Sequence, residues 1–291
     1  IMKKRIAIIG AGIGGLTLAN LLQKNLDFEA VVYEKEETLN LKEGFGLQLA
    51  VNSVSTLNQI GFNNLNKSEI YNPVKLDFYS NEDKICDLDL TQFNSETKKY
   101  TTLKRSTLIK FLKNKLFSNL IRFNKTVEGV EKNKDTLKIK FKDGSYEEVD
   151  YLVVSDGVFS QTKSIIEKKI FKPNYYGAVA VRTQIKAKVV SRFKTENISI
   201  FMSSKAHLVS YPINDSRDIN LVCILRKKLN DKKSIEQLLN KNFFNNNKHL
   251  PNFFNEDLKS WSIFTSLRPV KSVLKNVFYI GDAFYSYPPT F

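Results

Sequence analysis

The fold of this 291-residue chain is specified by one stretch near its start, Ile6-Ala7-Ile8-Ile9-Gly10-Ala11-Gly12-Ile13-Gly14-Gly15. Its apolar run predicts a buried strand at residues 4–9, and its glycine-rich turn leads into a helix predicted at residues 16–24. A second apolar run predicts a strand at residues 30–34. A strand, a turn, a helix and a second strand in this order begin a parallel sheet, so the chain is predicted to be an α/β protein.

The glycine spacing in this turn is typical of a phosphate-binding loop. Gly10 allows the tight turn, Gly12 lets the backbone approach a pyrophosphate, and Gly15 lets the helix pack closely on the strand. The N–H groups and the dipole at the N-terminus of the helix attract the phosphates. The predicted cofactor-binding residues of this turn are Gly10, Ala11, Gly12, Ile13, Gly14 and Gly15.

Glu34 ends the second predicted strand, 19 residues after Gly15. A carboxylate at that position can accept hydrogen bonds from both hydroxyls of a ribose, and it would repel a 2′-phosphate. The turn and the acid together therefore predict FAD or NAD, and they do not decide between the two. Glu34 and its neighbour Lys35 are both predicted to bind the cofactor.

Further elements follow from apolar alternation and from turn residues. Two hairpins are predicted, one from residues 74–80 and 84–90 and one from residues 137–141 and 146–149. Ser106 is predicted to cap a helix at residues 106–114. Later strands at residues 175–186, 197–202, 207–213 and 219–226 predict an antiparallel sheet. The other predicted elements are a short strand or loop at 46–49, strands at 100–103, 151–154 and 277–280, helices at 53–60 and 234–242, and a loop at 245–247.

Three of these strand ends carry a charged residue. Arg105 starts a helix after the strand at 100–103, Asp156 follows the strand at 151–154, and Asp282 follows the strand at 277–280. A single acid after a buried strand can serve as a helix cap with no ligand. Three such turns in this order are hard to explain by capping, and they favour FAD over NAD.

Together these motifs resemble the flavin-dependent aromatic hydroxylases, also called group A FAD monooxygenases, over essentially the whole chain. The resemblance implies that Arg105 reaches toward FAD, that Asp156 binds FAD and the nicotinamide pyrophosphate, and that Asp282 binds the ribityl chain. It also implies that residues 46–52 lie beside the flavin. The cofactor-binding residues implied beyond the glycine turn and residues 34–35 are Gln48, Arg105, Asp156, Gly281, Asp282 and Pro289.

Four positions depart from the pattern of this family. Val51 stands where a proline is usual, and Tyr285 replaces the usual histidine. In the Asp-Gly motif, Ser155 and Lys163 stand where alanine and arginine are common. Because lysine and arginine bind phosphate differently, the last change weakens the inference of nicotinamide binding more than that of FAD binding.

The resemblance implies a Rossmann-like FAD-binding domain of the p-hydroxybenzoate hydroxylase type, with an inserted, mostly antiparallel β-sheet domain for the substrate. We expect the FAD-binding domain at residues 1–72, 97–172 and 265–291, and the substrate domain at residues 73–96 and 173–264. Members of the family continue past the third flavin motif. We therefore expect the C-terminal part of the first domain to be missing from this sequence.

The activity implied by the resemblance is hydroxylation of an aromatic or quinone-precursor substrate by O₂, with NAD(P)H as co-substrate and a flavin C4a-hydroperoxide as the oxygen donor. Candidate substrate contacts are Arg182, His207 and Tyr211, each of which has a purely structural alternative. No catalytic residue is assigned. A same-fold flavoprotein reductase and a non-catalytic, FAD-binding remnant stay open as alternatives, and substrate-stimulated NAD(P)H oxidation separates them from a hydroxylase.

Composition limits the other function classes. The chain has 45 Lys and Arg against 30 Asp and Glu, a net charge of +15, but its basic clusters are short and dispersed. This distribution does not predict nucleic-acid binding, and it leaves weak peripheral membrane association open. Two cysteines and two histidines, far apart, predict neither a disulfide framework nor a metal site. Without an apolar membrane span or a signal peptide, we expect a cytoplasmic protein of unknown oligomeric state.

Overall fold

The structure is a computed structural model that describes residues 2–42, 45–80, 83–189, 195–242 and 258–288. Its strands are β1 (Lys4–Ile9), β2 (Phe28–Tyr33), β3 (Gly46–Leu49), β4 (Ile70–Tyr71), β5 (Lys75–Ser80), β6 (Asp83–Asp89), β7 (Thr101–Lys104), β8 (Ile121–Arg122), β9 (Val127–Asn133), β10 (Thr136–Phe141), β11 (Tyr146–Val149), β12 (Tyr151–Val154), β13 (Asn174–Lys186), β14 (Ile198–Met202), β15 (Ala206–Ile213), β16 (Asp218–Arg226), β17 (Lys259–Thr265) and β18 (Val277–Tyr279). Its α-helices are α1 (Ile13–Leu22), α2 (Val51–Asn58), α3 (Arg105–Lys115), α4 (Gln161–Glu167) and α5 (Ile235–Asn242).

A five-stranded parallel sheet forms the first layer, in the order β18-β12-β1-β2-β8. Residues 6–9 of β1 are apolar and buried because both faces of the sheet are covered there. Ile8 packs with Leu16 of α1 and Leu108 of α3 on one face, whereas Ala7 packs with Leu137 of β10 on the other. The predicted strand–turn–helix–strand unit is confirmed, and β12 and β18 join it in the same sheet.

A seven-stranded sheet forms the second layer, in the order β17-β13-β16-β15-β14-β5-β6. The described strands pair antiparallel in this sheet except for β14 and β5, so the predicted mostly antiparallel sheet is confirmed. The predicted hairpin β5–β6 is also confirmed, and it extends this sheet at its β14 edge. One face of the sheet is closed by Leu238 and Leu239 of α5. The assignment of two domains with the expected boundaries stays a prediction.

A small sheet, β3-β7-β4, joins the two large layers. The Thr102 hydroxyl of β7 donates a hydrogen bond to the Pro212 carbonyl of β15. The Gly46 N–H of β3 donates to the Asn220 side-chain oxygen of β16, at 2.7 Å. Strand β3 therefore lies against the open face of the seven-stranded sheet. A second small sheet, β11-β10-β9, covers the parallel sheet and contains the second predicted hairpin.

Some local predictions differ from the structure. Ser106 is not a helix cap, because β7 runs directly into α3 and Lys104 occupies the cap position. Helix α1 begins three residues before its predicted start, because Gly12 is already its N-cap. The predicted loop at residues 245–247 and the predicted cofactor residue Pro289 lie outside the described residues. No helix in the described ranges combines the length and the apolar character that a membrane span needs.

Candidate functional site

Two glycines of the turn after β1 are required for close packing of the protein, whether or not a ligand is bound. Gly10 has a φ of +101°, and a Cβ there would lie 2.7 Å from the carbonyl oxygen of Ser155. A Cβ on Gly15 would lie 2.1 Å from the carbonyl oxygen of Gly10. Both positions therefore need glycine for the close approach of α1, β1 and the turn after β12.

Gly12 and Gly14, in contrast, border open space. A Cβ on Gly12 would meet no described atom within 4 Å, and one on Gly14 would meet only the end of the Ile280 side chain at 3.9 Å. Gly12 is also the N-cap of α1, where the first N–H groups of a helix have no intrahelical partner. The open space lies next to a positive helix end, which suits a phosphate group.

The Glu34 carboxylate is held beside this turn. One of its oxygens accepts a hydrogen bond from the Ala11 N–H at 2.8 Å, and the other accepts from the Glu36 N–H at 3.0 Å. These bonds fix the side chain, and each oxygen keeps a lone pair for a further donor. Lys35 is exposed, and its Nζ lies 3.7 Å from a Glu36 carboxylate oxygen. The structure thus brings Glu34 to the turn but leaves Lys35 at the surface.

The turn after β12 packs directly on the glycine turn. The Ser155 hydroxyl donates to the carbonyl oxygen of Ile9 at 2.8 Å, which fixes the ends of two parallel strands together. Within the part of the chain that the structure describes, Asp156 Oδ1 is buried without a hydrogen-bond partner. A buried carboxylate oxygen without a donor is costly, so this atom is a candidate contact for a bound ligand.

Lys163 connects this turn to the third predicted motif. Its buried ammonium donates to the carbonyl oxygen of Ala283 at 2.8 Å. Burial lowers the pKa of Lys163, and the nearby charge of Asp156 opposes that effect. Desolvation by the surrounding protein raises the pKa of Asp282, although the residue keeps an exposed face. Sequence analysis identified Lys163 only as a departure from a family pattern and did not predict its hydrogen bond to the Ala283 carbonyl.

Gln48 and Arg105 lie on the small joining sheet and at its end. The Tyr100 hydroxyl donates to the Gln48 side-chain oxygen at 2.8 Å. The Arg105 N–H, at the first residue of α3, donates to the carbonyl oxygen of Phe45 at 2.8 Å. The structure therefore places both residues near the start of β3.

The three candidate substrate residues share one face of the seven-stranded sheet. Side chains of directly paired residues lie on the same face. Val222 is paired with Arg182 on one side and Val209 on the other, and Val209 is two residues from both His207 and Tyr211. The register places these three residues on one sheet face, whereas their contact with a substrate stays a prediction.

This face carries two groups with shifted pKa values, Tyr211 and His207, and it contacts β3. Burial raises the pKa of Tyr211, and the charge of Arg182 opposes that effect. Burial lowers the pKa of His207. A Cβ on Gly46 would lie 2.7 Å from Tyr211 Cε2 and 2.8 Å from Asn220 Cγ, so strand and face are in close contact.

Sequence reasoning missed three residues of this contact. Asn220 is fully buried and accepts the Gly46 N–H, and Phe45 packs edge-to-face on Trp261 with ring centroids 5.1 Å apart. A lone asparagine in the apolar strand at 219–226 was a usable signal, because a buried amide needs partners. The contact of Phe45 with Trp261 carries no local signal, since it joins residues far apart in the sequence.

Comparison with known proteins places this geometry in a family. A family model described as FAD binding domain matches residues 3–291. The chain is 24% identical over 226 residues to a 3-amino-4-hydroxybenzoate 2-monooxygenase of Streptomyces cremeus, which covers 76% of this chain and 56% of that protein. It is 25% identical over 225 residues to a 6-hydroxynicotinate 3-monooxygenase of Bordetella bronchiseptica, covering 74% and 57%. The chain thus spans about half the length of the curated relatives it matches.

Solved structures share the fold. Klebsiella pneumoniae HpxO in complex with FAD and uric acid superposes with a TM-score of 0.83 at 17% identity, covering 98% of this chain and 74% of that one. A substrate complex of salicylate hydroxylase superposes with a TM-score of 0.80 at 18% identity, covering 97% and 74%. At these identities the likeness establishes the architecture alone: a parallel-sheet layer and a large, mostly antiparallel sheet.

Proposed function

Since the chain belongs to the FAD binding domain family, which includes FAD-dependent aromatic monooxygenases, we propose that it acts as an FAD-dependent monooxygenase that hydroxylates a small aromatic substrate with O₂ and NAD(P)H. The observation that carries the proposal is the open space at Gly12, beside the N-terminus of α1 and the turn of Asp156. This space lies at the ends of parallel strands, where α/β proteins bind dinucleotides.

The residues present fit FAD. Gly12 leaves room for a pyrophosphate at the helix N-terminus, and Glu34 is fixed where it can accept ribose hydroxyls. Asp156 supplies a buried carboxylate oxygen that lacks a donor among the described residues. We propose that these residues hold the cofactor, together with Gln48, Arg105, Gly281 and Asp282. When bound, FAD supplies the transfer of electrons from NAD(P)H to O₂ and of one oxygen atom to the substrate.

The open face of the seven-stranded sheet carries polar groups that can bind a hydroxylated aromatic substrate. Because burial raises the pKa of Tyr211, its hydroxyl stays protonated at neutral pH and can donate a hydrogen bond to a substrate oxygen. Because burial lowers the pKa of His207, its imidazole stays neutral at neutral pH and can accept a hydrogen bond from a substrate hydroxyl. Tyr211 is only 3% exposed, so packing around it excludes water from this part of the face. We propose that Arg182, His207 and Tyr211 line the substrate site.

The relatives suggest a substrate class. One is named for 3-amino-4-hydroxybenzoate and another for 6-hydroxynicotinate, which are both hydroxylated aromatic rings with a carboxylate. We propose a hydroxylated aromatic substrate for this chain as well. A quinone precursor is the alternative, and it differs from these compounds by lacking the negative charge.

The test is substrate-stimulated NAD(P)H oxidation by the FAD-loaded protein in air, measured with a panel of hydroxybenzoates and quinol precursors. Hydroxylation predicts that one substrate raises the rate and that its product carries one ¹⁸O atom when ¹⁸O₂ is supplied. A same-fold reductase would consume NAD(P)H equally well without O₂. A protein that retains FAD but never consumes NAD(P)H would contradict the proposal and support a binding remnant.

A further inference from the structure

Two neighbouring segments at the surface form one basic patch. Residues 168–172 directly follow α4, and residues 267–275 lie between β17 and β18. The Val273 N–H donates to a Glu167 carboxylate oxygen at 3.3 Å, and residues of both segments line a single cavity of about 170 Å³. The fold therefore joins two stretches that are far apart in the sequence, and together we call them the basic patch.

Six cations supply the charge of this patch. They are Lys168, Lys169, Lys172, Arg268, Lys271 and Lys275, and all six are exposed. The two segments contain no acidic residue, and the ion pairs between described residues include none of the six. Glu167, the acid next to the patch, already accepts the Val273 N–H and the Tyr279 hydroxyl. The described part of the protein therefore leaves this positive charge unpaired, and the patch attracts anions.

Apolar side chains project among these cations. Ile170, Leu267 and Val273 are 76%, 79% and 77% exposed, and the first two line the cavity between the segments. A single exposed apolar residue is common at a protein surface, but a group of them indicates a binding surface. Aliphatic side chains enter the hydrocarbon region of a lipid layer, whereas single-stranded nucleic acid is bound by aromatic rings that stack on its bases. The combination of lysines with aliphatic side chains therefore favours an anionic lipid surface over a nucleic acid.

We propose that the basic patch docks on an anionic lipid bilayer. The lysines lie against the headgroup phosphates, and Ile170, Leu267 and Val273 enter the boundary between headgroups and acyl chains. Charge attraction and apolar burial add, and a modest contribution from each gives reversible binding. Val158, two residues after Asp156, lines the same cavity, so the candidate cofactor site lies beside the docked surface. This inference goes beyond the proposed function, and its test needs no turnover.

Vesicle co-sedimentation of the full chain, with FAD added, tests the proposal. One set of vesicles contains phosphatidylcholine alone, and the other contains in addition about 30% phosphatidylglycerol, which supplies the negative charge. We expect the apparent Kd for the anionic vesicles to be at least ~10-fold lower than that for the neutral ones. We expect binding to weaken as the salt concentration rises from about 0.05 M to about 0.5 M, because salt screens the attraction.

Two kinds of substitution separate charge from apolar insertion. The first variant combines Lys169→Gln, Lys172→Gln and Lys271→Gln. A lysine near an anionic surface contributes roughly a fivefold factor, so the Kd for anionic vesicles should rise about 30- to 100-fold. The second variant, Leu267→Ser, removes one apolar side chain without changing the charge. Its Kd should rise about fivefold at low and at high salt alike, because apolar burial is not screened.

A matched control removes the same charge elsewhere. It combines Lys110→Gln, Lys132→Gln and Lys142→Gln; these lysines are exposed, lie outside the patch and belong to no ion pair between described residues. The control has the same net charge as the first variant, so general basicity predicts the same loss of binding in both. Docking through the patch predicts that the control binds anionic vesicles within about twofold of the wild type, because charges distant from the bilayer are screened.

Four results would overturn the proposal. It is wrong if the protein binds anionic vesicles no better than neutral ones, or if the control loses as much affinity as the lysine variant. It is also wrong if Leu267→Ser has no effect and duplex DNA binds as tightly as the vesicles, because the patch would then be a general anion-binding surface. Finally, if analytical ultracentrifugation without lipid shows a dimer that Leu267→Ser dissociates, the patch is an interface between copies of this chain and the lipid proposal fails. Because Leu267→Ser and the lysine variant are independent, loss of folding in one leaves the other as the test.

Discussion

Alanine at Gly12 and alanine at Gly15 should have opposite consequences, although both residues lie in the same turn. A Cβ on Gly15 would lie 2.1 Å from the Gly10 carbonyl oxygen and 2.6 Å from the Ser155 hydroxyl. A Cβ on Gly12 would meet no described atom within 4 Å, and its φ of −77° is one that alanine adopts without strain. Gly15→Ala is therefore expected to lower the stability of the folded protein. Gly12→Ala is expected to weaken only the binding of the ligand that occupies the open space.

The contacts set the expected magnitudes. For Gly15→Ala, helix α1 must move away from β1, and overpacking of this kind costs about 1–3 kcal/mol. In a chain of this size such a loss lowers the Tm of the apo-protein by roughly 2–10 °C. For Gly12→Ala, only a weak change at the helix cap remains, worth about 0.5 kcal/mol. Its methyl group would fill the space assigned to a pyrophosphate, so FAD affinity should fall at least ~10-fold, or about 1.4 kcal/mol.

Two measurements on each variant test this reasoning. Thermal unfolding of the apo-protein reports stability, and quenching of flavin fluorescence on titration reports FAD affinity. Gly129→Ala in β9 is the matched control, because its Cβ would approach nothing closer than 3.9 Å and it lies outside the turn. Wild-type FAD affinity in Gly12→Ala would refute the assignment of the open space to the cofactor. A loss of apo stability equal to that of Gly15→Ala would refute the structural reasoning itself.

Three further substitutions test other contacts. Gly46→Ala should cost about 1–3 kcal/mol in urea unfolding, because its Cβ would lie 2.7 Å from the buried Tyr211 ring. Lys163→Met should cost about 1–3 kcal/mol in the same assay, because it leaves the buried Ala283 carbonyl without a donor. Asp282 has a pKa raised above its ordinary value of 3.8, so its favourable contribution to apo stability is present below that pH and is lost as pH rises through the raised pKa. Asp282→Asn should therefore raise the apo Tm at pH 7, and the difference from wild type should vanish below pH 3.8, as followed by thermal unfolding at stepped pH.

The first layer of the fold could be predicted because its signals are local. An apolar run, a glycine spacing and an acid at a fixed distance specify β1, α1 and β2 within about forty residues of sequence. The same local logic predicted the two hairpins from their turn residues. Residue-level cap signals were less reliable, since β7 enters α3 without a turn and leaves Ser106 inside the helix.

The relation between the two layers could not be predicted, because it depends on strand register. The pairing of Arg182 with Lys259 joins residues 77 positions apart, and the sequence around either residue does not indicate the other as its partner. Strand β17 was not predicted, because residues 259–265 show only partial apolar alternation. Without β17 in the sheet, Trp261 could not be placed on the face that carries Tyr211.

Strand β3 connects the layer of the glycine turn to the open face of the seven-stranded sheet. Its N-terminal end is bound on both sides: the Phe45 carbonyl accepts the Arg105 N–H of α3, and the Gly46 N–H donates to Asn220 of the large sheet. Two residues later, Gln48 accepts the Tyr100 hydroxyl on the side predicted to face the flavin. A substrate proposed to bind on the face that carries Tyr211 would therefore lie beside the strand that carries Gln48. Because packed interiors transmit displacements, we expect an aromatic substrate on this face and a flavin at the glycine turn each to favour the binding of the other through β3.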